Sequence, residues 1–277
     1  MKITPLILLL PALLFFLLFT GWPIFEVVRM SLYKTNFIAS TFVGLDNYKA
    51  LFSNEMFLQS MKNSIFYVIL LTFGHLFMSV TVALAVFKLN KRWQDITRIL
   101  VYIPVLAAGI IIAQVWRWIF SANGIANWLL SLVGIDKVNW FGQGSTAIPV
   151  VVFVVVVSSF GTFVIIILAN LLSIDKSIIE AAMIDGASER QIKWKILLPM
   201  IFPTLSLVAL LAMINALQIF ETIYALVPQQ YAYTPTFCIY TMGFKLSQWG
   251  MASAESVLLL CVVVVLSLLK RKVEHEV

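Results

Sequence analysis

The residues able to do chemistry in this 277-residue chain fall into two groups. One is a scatter of hydroxyls, amides and a few charges inside or beside long apolar runs. Ser158, Ser159 and Thr162 stand at i, i+1 and i+4 in one run, so at least two of them share a helical face. Asn215 and Gln218 lie three apart in another run, with Thr222 four further on. Polar groups at such positions either line a water-filled pathway or hydrogen-bond between helices, and both readings stay open here. Arg117, Glu221 and Glu255 sit near the ends of their runs. Each carboxylate is roughly 7 Å deep by helix rise. Arg117 is expected to pair with one of them; the alternative is that all three reach the headgroups independently. His75, alone in its run, reads as a neutral hydrogen bonder between helices, and Gln114 has the same standing.

Catalytic and metal chemistry find little support. His75 and His275 are the two histidines, which build no metal site by themselves. Cys238 and Cys261 fall in different environments, so no disulfide framework follows. No glycine is followed by lysine, which excludes a Walker A loop, and the chain is not expected to hydrolyse ATP. An intramembrane enzyme would need a nucleophile–base pair or metal ligands at depth.

The elements that must hold these residues are membrane spans. Hydrophobic residues make up 61% of the chain against 12% charged, with mean hydropathy +0.99, which excludes a soluble core of this size. Six runs are long enough to cross about 30 Å of hydrocarbon, approximately 6–28, 64–87, 99–120, 147–172, 200–226 and 251–269. Backbone satisfaction in lipid makes them helices, including the Val-rich 150–157, so an all-α membrane protein with a single transmembrane domain over 1–277 is expected. The first run is too long for a signal-peptide core and is read as an uncleaved span.

Orientation follows from the basic residues. Lys2, Lys88, Lys91, Arg92, Arg98, Lys176, Arg190, Lys193, Lys195, Lys270, Arg271 and Lys272 lie on one side, twelve against seven on the other (Arg29, Lys34, Lys49, Lys62, Arg117, Lys137, Lys245). Both termini and the segment between the fourth and fifth spans are therefore expected in the cytoplasm. The same topology accounts for the net charge of +6 without nucleic acid. Among the outer segments, Asp46 is expected to cap a short interfacial helix, and Trp128, Trp140 and Phe141 form an aromatic belt.

The second group of chemically able residues is the charged stretch 177–203, SIIEAAMIDGASERQIKWKILLPMIFP. Ser177 and Glu180 have capping-box spacing, which predicts a helix start. Gly186 supplies the positive φ that ends it. Ser188 and Gln191 repeat the cap spacing, which predicts a second helix up to Pro199. Two short helices hinged at a glycine and pinned to spans make a lever on the membrane surface.

Glu180-Ala181-Ala182, Gly186, Ile196 and Leu198-Pro199 reproduce the pattern E-A-A-x3-G-x9-I-x-L-P, with Asp185 and Ala187 flanking the glycine. This loop, 173–199, resembles the EAA loop of the membrane subunits of binding-protein-dependent ABC importers. Gly44-Leu45-Asp46-Asn47-Tyr48, Pro104, Trp116, Tyr240, Phe244, Gly250, Ala252 and Ala254 look like the sugar-type branch, which includes the maltose and glycerol-3-phosphate permeases. The resemblance implies six spans with a coupling helix between the fourth and fifth. It implies four partners: a second six-helix permease subunit, an ATPase dimer that binds ATP and Mg, an extracytoplasmic substrate-binding protein, and membrane lipid. It places ATPase coupling on Glu180, Ala181, Ala182, Asp185 and Gly186. Glu180 equally suits a capping carboxylate near a helix N-terminus. It places the substrate path between the fourth and fifth spans, where the hydroxyls and amides suit a sugar, and an outer gate at Arg117, Glu221 and Glu255.

Two departures bear on the outer gate and the cargo. Leu226-Val227-Pro228-Gln229-Gln230 stands where a T-x-G-G-P turn is usual, and Glu255 stands where the family continues apolar. An ion-gradient-driven carrier is the competing class; it would want charges at mid-membrane and broken helices in matched halves. With no Lys or Arg at mid-span, a neutral sugar is favoured over an anion such as glycerol-3-phosphate, unless the partner subunit supplies the charge.

Overall fold

The computed structural model describes residues 4–35 and 39–276, with side chains over 9–35 and 39–270. Lys2, and the side chains of Arg271, Lys272 and His275, lie outside the described residues.

The described chain is helical apart from one hairpin. In order come α1 (Thr4–Phe16), α2 (Trp22–Ser31), β1 (Tyr33–Thr35), β2 (Ser40–Phe42), α3 (Asp46–Phe52), α4 (Glu55–Phe87), α5 (Lys91–Leu106), α6 (Gly109–Ile119) and α7 (Ile125–Leu132). Then come α8 (Gly144–Ser173), α9 (Lys176–Ile184), α10 (Glu189–Gln191), α11 (Leu198–Met200), α12 (Phe202–Leu217), α13 (Glu221–Leu226), α14 (Pro235–Tyr240) and α15 (Trp249–Glu276). A π turn joins α1 to α2, and another carries α10 into α11. Among the described residues, four helices are long and apolar enough to cross a membrane: 9–31, α4, α8 and the part of α15 up to Lys270. Phe19, Phe73 and Trp118 are among many large apolar side chains left facing outward, as lipid requires. The valine run 150–157 is helical, within α8.

The third and fifth expected spans are not single helices. The third is α5 plus α6, bent by 92°, and the fifth joins α12 to the segment 189–200 with a bend of 68°. At the first break Pro104 removes a ladder donor one turn before the end, and Ala107 and Ala108 are extended (ψ 144° and 128°). At the second, Ile201 (φ −93°, ψ 5°) stands between Pro199 and Pro203. The fifth run breaks again over 218–220, where the Ile219 carbonyl accepts from Thr234 Oγ1 at 2.5 Å. Among the described residues the spans thus number four, or up to six if each bent pair is one span.

The chain separates into two compact units. The first comprises 1–59 and 235–264. Its core is built on Leu51, Phe57, Cys238, Met242, Ala252 and Ala254. Asn47 Nδ2 donates to the carbonyls of Ser31 (2.8 Å) and Tyr33 (2.9 Å), tying α3 to β1. Gly250 belongs to the same knot, for a Cβ there would come within 2.1 Å of the Tyr33 carbonyl. Asp46 does not cap α3: Leu45 holds the cap position with no side-chain bond, and Asp46, one residue inside, pairs with Lys49 at 2.9 Å.

The second unit comprises 60–234 and 265–277. Its core runs between the last turns of α4 (Ala83, Leu84, Val86), α8 (Phe163, Ile167, Leu171) and the start of the fifth run (Ile192, Ile201, Val208). Gly161 of α8 sets the approach of α5, since a Cβ there would meet the Val101 carbonyl at 1.9 Å.

Candidate functional site

The charged stretch folds as the two-armed elbow that its spacing predicts, with one change of cap. Helix α9 starts one residue before Ser177 because Asp175 takes the N-cap: its Oδ1 accepts the Ser177 N–H at 2.9 Å. A carboxylate there has both the hydrogen bond and the positive end of the helix dipole, which a serine hydroxyl uses less well. That N–H holds the Asp175 carboxyl below the usual range. The expected Ser177–Glu180 box is therefore absent. Glu180 is exposed and, among the described residues, enters no ion pair, so capping does not occupy it.

The far end of α9 closes as expected. Gly186 has φ +78°, the Ala187 N–H reaches the Ala182 carbonyl at 2.9 Å, and the Gly186 N–H reaches Met183 at 3.1 Å. These are the paired bonds of a Schellman motif. The second arm opens on the Ser188–Gln191 capping box, with both reciprocal bonds present. It continues helically through Pro199 to Met200. The Lys88 ammonium at the end of α4 pairs with the Glu189 carboxylate, fastening this arm to the second unit's core.

The elbow has two faces. Ile179, Ala182 and Ala187 pack against the core. Glu180, Ala181, Asp185 and Gly186 are exposed. Between them stand Met183 and Ile184, 59% and 86% exposed, which the sequence reading passed over. The available signal was their place: two large apolar residues between the alanine pair and the hinge, with no period that buries both.

The candidate path residues do not form one cluster. Ser158 and Ser159 turn their hydroxyls back onto the carbonyls of Val154 (2.6 Å) and Val155 (2.7 Å). Ser159 also meets His75 Nε2 at 2.8 Å, which bears out His75 as a bond between α4 and α8. Thr162 is half-buried; Asn215 and Gln218 are exposed on either side of the α12 end, and Thr222 is half-buried in α13. Among the described residues no hydrogen bond joins the α8 set to the α12–α13 set.

Helices α6 and α13 are held together at both ends. Arg117 Nη1 donates to the Ala225 carbonyl at 2.9 Å and forms no ion pair with Glu221. A cation at the carbonyl end of a helix is favoured by the same dipole that draws anions to the other end. The Glu221 carboxylate instead lies over Gly109, where a Cβ would come within 2.1 Å of Oε2. Glu255 is buried in the first unit, 1% exposed.

Residues 76–277, elbow included, match the family described as the binding-protein-dependent transport system inner membrane component. The chain belongs to this family. This permease component is 30% identical to the probable ABC transporter permease protein YurN of Bacillus subtilis, over 98% of this chain and 96% of the other. It is 30% identical to the trehalose/maltose transport system permease protein MalF of Thermococcus litoralis, over 96% and 92% of the two chains. A chain of the bacterial alginate ABC transporter, solved with an alginate pentasaccharide-bound periplasmic protein, superposes with TM-score 0.84 at 25% identity, over 96% and 92%. Membership decides against the ion-driven carrier, although broken helices, one of the features expected of that class, are present. The permease component is a membrane subunit of an importer rather than a catalytic chain.

Proposed function

We propose that this chain forms half of the translocation path for a carbohydrate and is driven at the α9 elbow by a separate ATPase dimer, which binds ATP and Mg. The observation that carries the coupling role is the outward face of α9: an unpaired carboxylate, Glu180, beside Ile184 at 86% exposure, on a helix whose other face is packed into the core. Met183 and Ile184 adjoin there, and neighbouring exposed apolar side chains rimmed by charge are what a partner surface covers. Ala181 permits close approach, Asp185 and Gly186 form the hinge, and Ala182 anchors it. A second six-helix permease would complete the path, and an extracytoplasmic binding protein would deliver the solute. The two ATPase states then bias an inward–outward equilibrium through the elbow. On this reading the elbow and both termini face the cytoplasm and six spans cross the membrane.

A carbohydrate is supported by the cargoes named for the maltose- and alginate-type relatives and by the chemistry at hand. Asn215, Gln218 and Thr222 flank the break in the fifth run, where exposed amides suit sugar hydroxyls. Ser158 and Thr162 offer hydroxyls to the path separately, from α8, while Ser159 is engaged by His75. Arg117 is occupied by the Ala225 carbonyl. With Glu221 it marks the outer gate of the second unit, and an Arg117 so engaged leaves a neutral sugar a better fit than an anion.

The test is I184A and G186A in the assembled importer. I184A should leave stability within about 0.5 kcal/mol, as at any exposed site, while weakening ATPase association and abolishing most uptake. G186A forces alanine into φ +78°, at a cost of about 1–2 kcal/mol, and should uncouple ATP hydrolysis from transport. Full uptake by both variants would refute the coupling role.

A further inference from the structure

The connection between α6 and α8 carries a feature that neither coupling nor the pathway uses. Ile125, Trp128, Leu129 and Leu132 of α7 recur at i, i+3, i+4 and i+7, the spacing of one helical face. A helix in water turns such a stripe into its core. Here each of these side chains is more than half exposed, and Val133 and Ile135 extend the apolar surface past the helix end. The buried residue is the polar one on the opposite side: Asn127, 2% exposed. Its Oδ1 accepts from the Val138 N–H at 3.0 Å and from Trp140 Nε1–H at 3.1 Å, and its Nδ2 donates to the Val138 carbonyl at 3.0 Å. These bonds fix the rotation of α7, so the stripe is held outward.

We infer that α7 is an interfacial helix, lying along the membrane surface with this stripe in the headgroup–acyl boundary of the outer leaflet. The inference rests on the reading in which the third run crosses the membrane with its Arg117 end outside. At eight residues α7 is about 12 Å long, too short to cross the bilayer. It begins where an outward apolar surface ends. Trp118 is exposed on the last turn of α6, and a Cβ at Gly124 would come within 2.3 Å of its carbonyl, so the start of α7 sits on that turn. No charged residue stands between Arg117 and Asp136, so the stripe lacks the charged rim that the outward face of α9 has. The end of α7 is closed within the chain: Gly134 (φ +75°) donates to the Ser131 carbonyl at 3.2 Å, and Ile135 to Leu130 at 3.0 Å. This Schellman pairing satisfies the last carbonyls without water, as the edge of the hydrocarbon requires. Tryptophan within an apolar stripe is the usual anchor at that depth. The helix thereby ties the Arg117 end of α6, next to the outer gate, to the bilayer surface.

The experiment places nitroxide labels in the assembled importer in bilayers, one at a time at I125C, W128C, L129C and L132C and, off the stripe, at S131C. Cys238 and Cys261 are replaced by alanine throughout. Collision with oxygen, which enters lipid, is compared with collision with a water-soluble nickel chelate. The ratio of oxygen to nickel collisions should be several-fold higher at the stripe than at S131C. Nickel access at the stripe equal to that at S131C places it in water, and shielding from both reagents places it against protein; either result overturns the inference. A label at I111C in α6 reads the spanning separately. Oxygen there with nickel at the stripe defeats the interfacial helix alone, and nickel at both defeats the spanning reading as well. If the labelled variants do not assemble, Trp128 fluorescence, taken as the difference between the parent chain and W128F, decides. Quenching by lipid brominated on its acyl chains is expected, and its absence overturns the inference.

Discussion

At position 175 a carboxylate takes a role that the sequence pattern offers to Ser177. Its sign with pH is definite. The folded carboxyl titrates below its unfolded value, so the cap stabilises α9 above that unfolded value and is lost as pH falls through the folded one. Amide exchange at 176–178, corrected for intrinsic rates, should therefore be protected at neutral pH and lose protection as pH falls below the ordinary carboxylate range. D175N, whose amide caps without titrating, should remove the pH dependence. Ser159 carries a second residue-scale expectation. S159A leaves His75 Nε2 without its hydroxyl partner across the α4–α8 contact, which costs about 1–3 kcal/mol. Equilibrium unfolding of the purified permease measures it, and an unchanged midpoint would mean that this contact does not hold α4 to α8. Neither role was legible beforehand for the same reason: S-x-x-E spacing and an isolated histidine say which bonds are possible, not which neighbour arrives first.

Among elements, the elbow and the breaks behave differently. The elbow is written locally, in Gly186, Ser188 and Gln191, and the chain follows that script. The breaks in the third and fifth runs are hidden because hydropathy averages over a window: residues 99–120 remain apolar whether or not the helix turns by 92° at Ala107–Ala108. Pro104 was visible, but many spans tolerate proline, and its effect depends on what repairs the freed backbone groups. The second arm of the elbow is fastened by Lys88 and Glu189, 101 residues apart. Because the pair is exposed, its effect is small. K88E and E189K should each raise amide exchange over 188–197 by a few-fold at most, and the double swap should return it. Swap failure would mean that the contact does not hold the arm.

For the whole molecule the basic-residue count makes a prediction about orientation. Single cysteines introduced at Ala181 and at Ser131 should label from opposite sides of sealed vesicles, the first from the cytoplasmic side only. Ala181 and Ser131 lie on the segments that the basic-residue count places inside and outside. Labelling of Ala181→Cys from the outer side would remove the basis for ATPase coupling at α9. The exposed side chains around the described helices fit the same picture, since apolar surface of this extent is stable only in lipid or against other subunits.

The sequence by itself determined the class: apolar length sets helices in lipid, and the fixed spacing from Glu180 to Pro199 sets the hinged elbow, because both are properties of local chain. Only the tertiary structure decided where the spans break, that Arg117 serves the Ala225 carbonyl rather than Glu221, and that Ser159 faces His75. Those outcomes depend on which distant groups are brought within about 3 Å of one another, and a hydrogen bond loses its strength beyond that reach. No periodicity within a single run encodes it.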